Sequence, residues 1–335
     1  MIAVLLAAAV AAAAPPAYDV ELLTQRQDVV WGFDFLPAGR VVFTERGGRL
    51  GVFDPKTANV DVVAGAPGVW HNGQGGLLDV RVHPGFAKNK LVYLTWSQPV
   101  EDGAATAVGR GRLEGGKLLG FERLLLTNAG GKNGEHFGSR LEFRDRHLYM
   151  TVGERGNRYL SQDPARHNGK ILRMGLDGSS PEIWSLGHRN PQGLAKRPGT
   201  NQLWSAEFGP RGGDELNLVK KGANYGWPVI TYGREYWGPK IGATAKEGLE
   251  QPVTYWVPSI SPSGMTFLSK DVAVLACLSG QHIRLVSLKG DAVVGQTSLI
   301  EDRRWRVRHV RKGPDGLLYF STDDGKLARL VPKRP

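Results

Sequence analysis

One phrase recurs six times along the chain: a short apolar strand, a turn built on Pro or Gly, and a second apolar strand ending near acidic or glycine residues. The copies are Phe33–Phe43, Leu78–Leu94, Arg140–Met150, Gly193–Ser205, Gly264–Leu275 and His309–Phe320. They follow one another at roughly 45 to 70 residues, the spacing of four-stranded propeller blades joined by loops of variable length. A unit of this kind cannot bury both of its faces alone, so it must stack on its neighbours. The expected fold is therefore all-β, a six-bladed β-propeller with four-stranded antiparallel blades. The strand-like stretch Tyr18–Leu23 is expected to pair beside Leu327–Val331 and close the ring, which removes the exposed sheet edges. The competing arrangement is two β-sandwich domains with a boundary in the turn-rich stretch Tyr232–Glu250. It is disfavoured because the phrase recurs on both sides of that stretch.

Composition agrees with an all-β chain. The 335 residues include 45 Gly and 20 Pro, which implies many turns and short strands. Met1–Ala14 is an Ala/Val/Leu run ending in small residues before Pro15-Pro16. It reads as a signal-peptide h-region, so residues 1–17 are assigned to a signal peptide and 18–335 to a single catalytic propeller. No later stretch is apolar for the ~20 residues a membrane span needs, and a periplasmic or secreted location follows. Cys277 is the only cysteine, which excludes an intramolecular disulfide, and its Val/Leu/Ala neighbours make it a buried strand residue. The net charge of +11 is scattered rather than gathered into a tract, which argues against nucleic acid as a partner. The densest basic group is Arg303–Arg311. Strand alternation there sends Arg304, Arg306 and Arg308 to one face and Trp305, Val307 and His309 to the other; three cations on one face need an anion or open water, and a small polyanionic ligand fits better.

Two glycine-rich segments carry ionisable groups just before strands: Gly134–Arg140 (GEHFGSR) and His188–Gly193 (HRNPQG). Loops on a rigid scaffold are where catalytic and binding side chains concentrate. In a propeller the loops feeding the inner strands converge on one axial funnel, which would bring together Gln74, His136, Arg189, Asn190, Gln192, Arg306 and Arg308. Of these only His136 exchanges protons near neutral pH, with Glu135 beside it to orient or tune it. Arg189 suits an oxyanion or carboxylate, and the three amides suit carbonyl or hydroxyl edges of a ligand. A third stretch, Glu207–Asn217 followed by Gly222–Pro228, sets carboxylates on glycine-rich backbone, a source of hard oxygen ligands for calcium although not an EF-hand loop. Tyr232, Tyr236 and Trp237 could roof a pocket. No Walker loop, G-x-S-x-G elbow, H-E-x-x-H or paired C-x-x-C is present, so nucleotide and zinc chemistries have no support.

These motifs, in this order, resemble the soluble pyrroloquinoline-quinone (PQQ)-dependent aldose sugar dehydrogenases, relatives of soluble glucose dehydrogenase. The likeness is carried by GQGGLLDVRVHPGF (Gly73–Phe86), GEHFGSRL, HNGKILRM (His167–Met174), IWSLGHRNPQGLA (Ile183–Ala195), GPRGGDELN with NYGWP, PSGMTF (Pro262–Phe267) and RVRHVRKGPDGLLY. The resemblance implies PQQ flat in the funnel of a six-bladed propeller, with a calcium ion bridging quinone and protein. It implies His136 as the base that takes the proton of the anomeric hydroxyl while the C1 hydride passes to the quinone, yielding a lactone and then handing electrons to an external acceptor. Arg189 would steady the quinone oxygens. Gln74, Asn190, Gln192, Arg306 and Arg308 match cofactor contacts, as does Tyr236 less closely. Carbonyls of Gly209 and Pro210 match ligands of the cofactor's calcium, while Glu215 and Tyr225 match a separate structural calcium. One position departs: Ser279 stands where the family usually offers the quinone a lysine, at a cost of about 1.5 to 3 kcal/mol if the charged contact is not replaced. Two other readings remain open at this point, a calcium-dependent propeller lactonase or hydrolase and a non-catalytic propeller that binds carbohydrate or protein.

Overall fold

The computed structural model describes residues 18–333, so the assignment of residues 1–17 lies outside the described residues. Twenty-four strands form six four-stranded antiparallel sheets. From the axis outward, blade 1 is Val30–Phe35, Val41–Glu45, Leu50–Asp54 and Asn59–Val63, and blade 2 is Leu77–Val82, Leu91–Val100, Gly103–Glu114 and Lys117–Leu126. Blade 3 is Leu141–Arg144, His147–Val152, Lys170–Gly175 and Glu182–Leu186, and blade 4 is Pro191–Lys196, Leu203–Glu207, Asp214–Val219 and Thr254–Trp256. Blade 5 is Pro262–Ser269, Val272–Cys277, His282–Lys289 and Ala292–Leu299. Blade 6 is Val307–Lys312, Leu318–Thr322 and Lys326–Pro332, completed on its outer edge by Tyr18–Gln25.

The six recurring phrases are thus the inner two strands of each blade. Ring closure pairs the described N-terminus with the C-terminal strand, Tyr18 opposite Pro332 and Gln25 opposite Lys326. Tyr232–Glu250, the boundary of the two-sandwich alternative, lies instead inside blade 4, between its third and fourth strands. Buried side chains form clusters between successive blades, such as Leu77 and Trp96 of blade 2 against Leu50 and Val52 of blade 1. Cys277 belongs to the cluster between blades 4 and 5, and burial pushes its thiol pKa up, which keeps it an inert core residue.

Inner strands approach one another so closely that side chains must be omitted at two crossings. A Cβ on Gly32 would lie 2.6 Å from the Asp79 carboxylate, and one on Gly264 would lie 2.7 Å from the His309 ring. Both glycines sit beside a register shift at the start of their strands. Blade 6 shifts at the same place, between Val307 and His309, and its inner strand begins only at Val307. This corrects the basic strand face expected from sequence. Arg304 ends a 3₁₀ turn with φ of 51° and is exposed, so the cationic face is reduced to Arg306 and Arg308.

One guanidinium closes the axis. Arg140, which precedes the inner strand of blade 3, is 1% exposed and reaches the other five blades. Its Nε donates to the Gln192 carbonyl at 2.8 Å, Nη1 to the Trp31 carbonyl at 3.3 Å and the Asp79 carboxylate at 3.1 Å, and Nη2 to the carbonyls of Ser263 at 2.7 Å and Arg308 at 3.2 Å. The cation also lies 4.0 Å from the Trp31 ring centroid. Burial pulls its pKa down to about 10, with Asp79 opposing that shift. Removing one member of a buried ion pair typically costs about 3–5 kcal/mol, because the remaining charge is left without a partner. Arg140→Met is therefore expected to lower the unfolding free energy by about that amount in urea denaturation; a loss under about 1 kcal/mol would contradict the pinning role.

Candidate active site

A cavity of about 1040 Å³ opens at one end of the axis. Its lining includes Gln74, His136, Arg189, Asn190, Gln192, Gly209, Pro210, Tyr236, Ser279, Arg306 and Arg308, which come from blade-entry loops and inner strands far apart in the chain. The structure brings together all of the residues expected to be catalytic or cofactor-binding, along with Gly209 and Pro210. Glu215 and Tyr225 stand apart. They line a small adjoining recess with Glu207, Trp227 and Thr231, whose wall also includes Arg189 and Gly209.

His136 has a φ of 55°, a backbone geometry uncommon for a non-glycine residue. Three partners hold it there. Its backbone N–H donates to Gln74 Oε1 at 3.0 Å, and its Nδ1 bonds the carboxylate of Glu154. The guanidinium of Arg155, 3.4 Å from the Phe137 ring centroid, donates to the Glu135 carbonyl and to the Asn133 carbonyl at 2.6 Å. Glu154 is 3% exposed and follows the second strand of blade 3. Its carboxylate is an acceptor, so Nδ1 carries the proton and Nε2 keeps its lone pair. Sequence proximity pointed to Glu135 for the orienting role. That side chain is half exposed, with its carboxylate 3.5 Å from Nε2, and the buried partner is Glu154. Burial, aided by the charge of Arg189, lowers the His136 pKa below its ordinary value, while Glu154 and Glu135 act to raise it. The outcome is an imidazole that is neutral at pH 7, as a proton acceptor must be.

Arg189 is fixed from both ends. Its backbone N–H donates to Glu207 Oε2 at 2.8 Å, and its guanidinium donates to the Gly209 carbonyl at 2.7 Å and approaches the Tyr236 phenol at 3.4 Å. The preceding His188 is buried and structural, bonded to Glu207 at 2.9 Å and stacked on Tyr225 at 4.6 Å. Arg306 and Arg308 share the carboxylate of Asp323, at 3.0 and 2.7 Å, and Arg308 also donates to Gln192 Oε1 at 3.2 Å. Asn190 accepts from the backbone N–H of Gly138 at 3.1 Å and so ties the His136 loop to blade 4. Ser279 bonds Ser261 at 2.7 Å, and neither Lys270 nor Arg284 lines the cavity to replace a lysine there.

Two places suit a cation. A Cβ on Gly209 would lie 2.3 Å from the carbonyl oxygens of both Gly212 and Gly213, so only glycine allows this carbonyl-rich turn at the cavity wall. Among the described residues no group of three or more His, Cys, Asp or Glu is arranged around a metal position, and main-chain oxygens would have to supply the ligands. In the recess, burial and the nearby Glu207 push the Glu215 pKa well up, a conflict that a bound cation would relieve. The Tyr225 hydroxyl is already committed, donating to the Leu218 carbonyl at 2.5 Å and accepting from the Lys220 N–H at 2.9 Å, which leaves its carbonyl as the candidate ligand.

Sequence reasoning did not single out Glu154, Arg155 or Asp323. Glu154 and Arg155 lie in Val152-Gly153-Glu154-Arg155-Gly156, a charged glycine-rich turn after a strand, which is the same signal that marked His136.

The structure is a six-bladed propeller whose axial cavity is lined by arginines and by His136. The chain belongs to the glucose/sorbosone dehydrogenase family, whose model matches residues 27–329. It is 39% identical over 351 residues to aldose sugar dehydrogenase YliI of Escherichia coli strain K12, covering 96% of this chain and 95% of that protein. The crystal structure of the soluble aldose sugar dehydrogenase from Escherichia coli in its apo form matches with a TM-score of 0.91 at 37% identity, covering 95% of this chain and 100% of that one. The PQQ-bound aldose sugar dehydrogenase of Streptomyces coelicolor matches with a TM-score of 0.80 at 28% identity, covering 94% and 98%.

The His136–Glu154 pair gives a signed pH prediction. Glu154→Gln removes a charge that raises the His136 pKa, so the acidic limb of the kcat profile should move to lower pH. Turnover at the optimum should fall about 10²-fold or more, because an amide no longer fixes the tautomer. An acidic limb that moves to higher pH would contradict the assignment.

Proposed function

We propose that this chain oxidises aldose sugars at C1 to lactones with PQQ held in the axial cavity, and passes the electrons to an external acceptor. The observation that carries the reading is the convergence of His136, Arg189, Gln74, Asn190, Gln192, Arg306 and Arg308 on one cavity. The lining fits the quinone's three carboxylates, since Arg189, Arg306 and Arg308 face the space beside the single lining carboxylate, Asp323. Arg306, Arg308, Asn190 and Gln192 would hold the cofactor's rim, and carbonyls of Gly209 and Pro210 would hold its calcium. Glu215 and the Tyr225 carbonyl would hold a second, structural calcium. When bound, PQQ supplies the two-electron acceptor for the hydrogen that leaves C1.

The protein's part is positioning and proton transfer. Nε2 of His136 takes the proton of the anomeric hydroxyl, and the Nδ1 bond to Glu154 stabilises the imidazolium that forms. Arg189 is a preorganised cation where negative charge develops, so little reorganisation is needed as the reaction proceeds. The tie between Gln74 Oε1 and the His136 backbone keeps Nε2 aimed while the site fills. Ser279 offers a neutral hydroxyl where a lysine would offer a charge, so quinone affinity in this chain rests more heavily on the arginines. Placement outside the cytoplasm rests on the apolar run at residues 1–17; among the described residues no helix is long and apolar enough to cross a membrane.

General-base removal typically costs about 10²–10⁴ in rate. His136→Ala should retain quinone in a spectroscopic titration while kcat for aldose oxidation falls by about that factor. Near-normal turnover by this variant would overturn the assignment of the base.

A further inference from the structure

The rim of the cavity holds cations that the proposed cofactor contacts do not use. Arg211 and Arg234 face each other across an isolated antiparallel bridge, with backbone N–H to carbonyl distances of 3.0 Å and 3.1 Å, and both line the cavity. Arg234 is bridged in turn to Lys240, which makes a short ladder of three basic residues. Side chains directly opposite in an antiparallel pair stand about 4.5–5.5 Å apart at Cβ, and like charges in that relation are destabilising. Nothing in the protein relieves the pair: among the described residues neither arginine has a carboxylate within salt-bridge distance or a side-chain hydrogen-bond partner. The adjacent acid, Glu235, is taken by Arg158 at 2.5 and 3.2 Å. Tyr236, two residues beyond Arg234, touches Arg189, which links this rim directly to the catalytic floor.

The count of charges favours the same conclusion. Asp323 already engages Arg306 and Arg308, and three quinone carboxylates with a calcium ion would still leave the cavity positive. A cavity with walls of one sign concentrates ligands of the other and speeds their entry by about 10–10³-fold. Guanidinium pairs are suited to the two-oxygen face of a carboxylate or phosphate.

We propose that Arg211 and Arg234 form a subsite for an anionic group on the sugar, so that preferred substrates are aldoses bearing a carboxylate or a phosphate ester away from C1. The proposal rests on the dehydrogenase reading above and narrows it to a substrate class. The pair holds the distal end of the sugar, leaving C1 to His136 and the quinone. The chemistry is otherwise unchanged: the C1 hydroxyl loses its proton to His136, the quinone is reduced by two electrons, and the lactone retains its anionic group.

The test uses the full chain reconstituted with PQQ and calcium, a neutral quinone as electron acceptor, and three matched sugars with a free C1 hydroxyl: glucose, glucuronate and glucose 6-phosphate. One charge-assisted hydrogen bond is worth enough to change affinity by about tenfold. We expect kcat/KM for glucuronate, glucose 6-phosphate or both to exceed that for glucose by about tenfold or more, mainly through KM. Whichever anion gains more identifies the group the site is shaped for. The advantage should shrink as ionic strength rises from about 0.05 to about 0.5 M, and should approach unity in Arg211→Gln/Arg234→Gln. If that double variant misfolds, Arg234→Gln alone, at an exposed position, should still reduce the advantage. Glucose used as well as both anions, or an advantage indifferent to salt, would overturn the proposal. If none of the three is oxidised, the dehydrogenase reading fails instead. Equilibrium dialysis with the same sugars then decides the subsite: tighter retention of an anionic sugar sustains it, and equal retention overturns it.

Discussion

The structure depends on a buried positive charge at its centre. Six sheets wrapped around an axis leave inner-strand carbonyls pointing at one another with no ladder partner, and buried carbonyls must be satisfied. Arg140 meets that demand with a planar group whose donors point in several directions. One side chain therefore serves carbonyls of four blades and a carboxylate of a fifth. Two of those carbonyls belong to Gln192 and Arg308, whose side chains face the cavity just above. The group that closes the ring also sets the height and orientation of the cavity floor.

At the floor a guanidinium and an imidazole lie close together. The Arg189 guanidinium is held by the Gly209 carbonyl and approaches the Tyr236 phenol. His136 is desolvated and lies in the field of Arg189, so it stays neutral, and Glu154 compensates only in part. A cation and a neutral imidazole then share one small space. Toward the rim, cations outnumber acids.

Much of this was legible in the sequence because a propeller repeats. The inner two strands of every blade are apolar and announced themselves as a recurring phrase. The outer strands, such as Lys117–Leu126 and Ala292–Leu299, are half exposed and carry little periodic signal, so the blades had to be inferred from spacing. Site residues on glycine-rich loops before inner strands, His136 and Arg189 among them, were visible for the same reason. Glu154 was not, because its link to His136 forms only when the first two strands of blade 3 pair and bring Gly138 against Gly153, and Glu135 offered a nearer carboxylate. Arg140 stood in a motif whose importance was clear, yet its axial role appears only on closure of the ring. The alternation assigned to Arg304, Arg306 and Arg308 failed at Arg304 because a 3₁₀ turn interrupts the strand register there.

The most direct test of the account is titration of metal-stripped protein with PQQ in the presence of calcium, with dye-linked oxidation of aldoses as the readout. The account predicts saturable activity with half-saturation at about 1 µM quinone or below, equivalent to at least about 8 kcal/mol of binding. Protein that neither retains the quinone nor oxidises any aldose at any calcium concentration would contradict it.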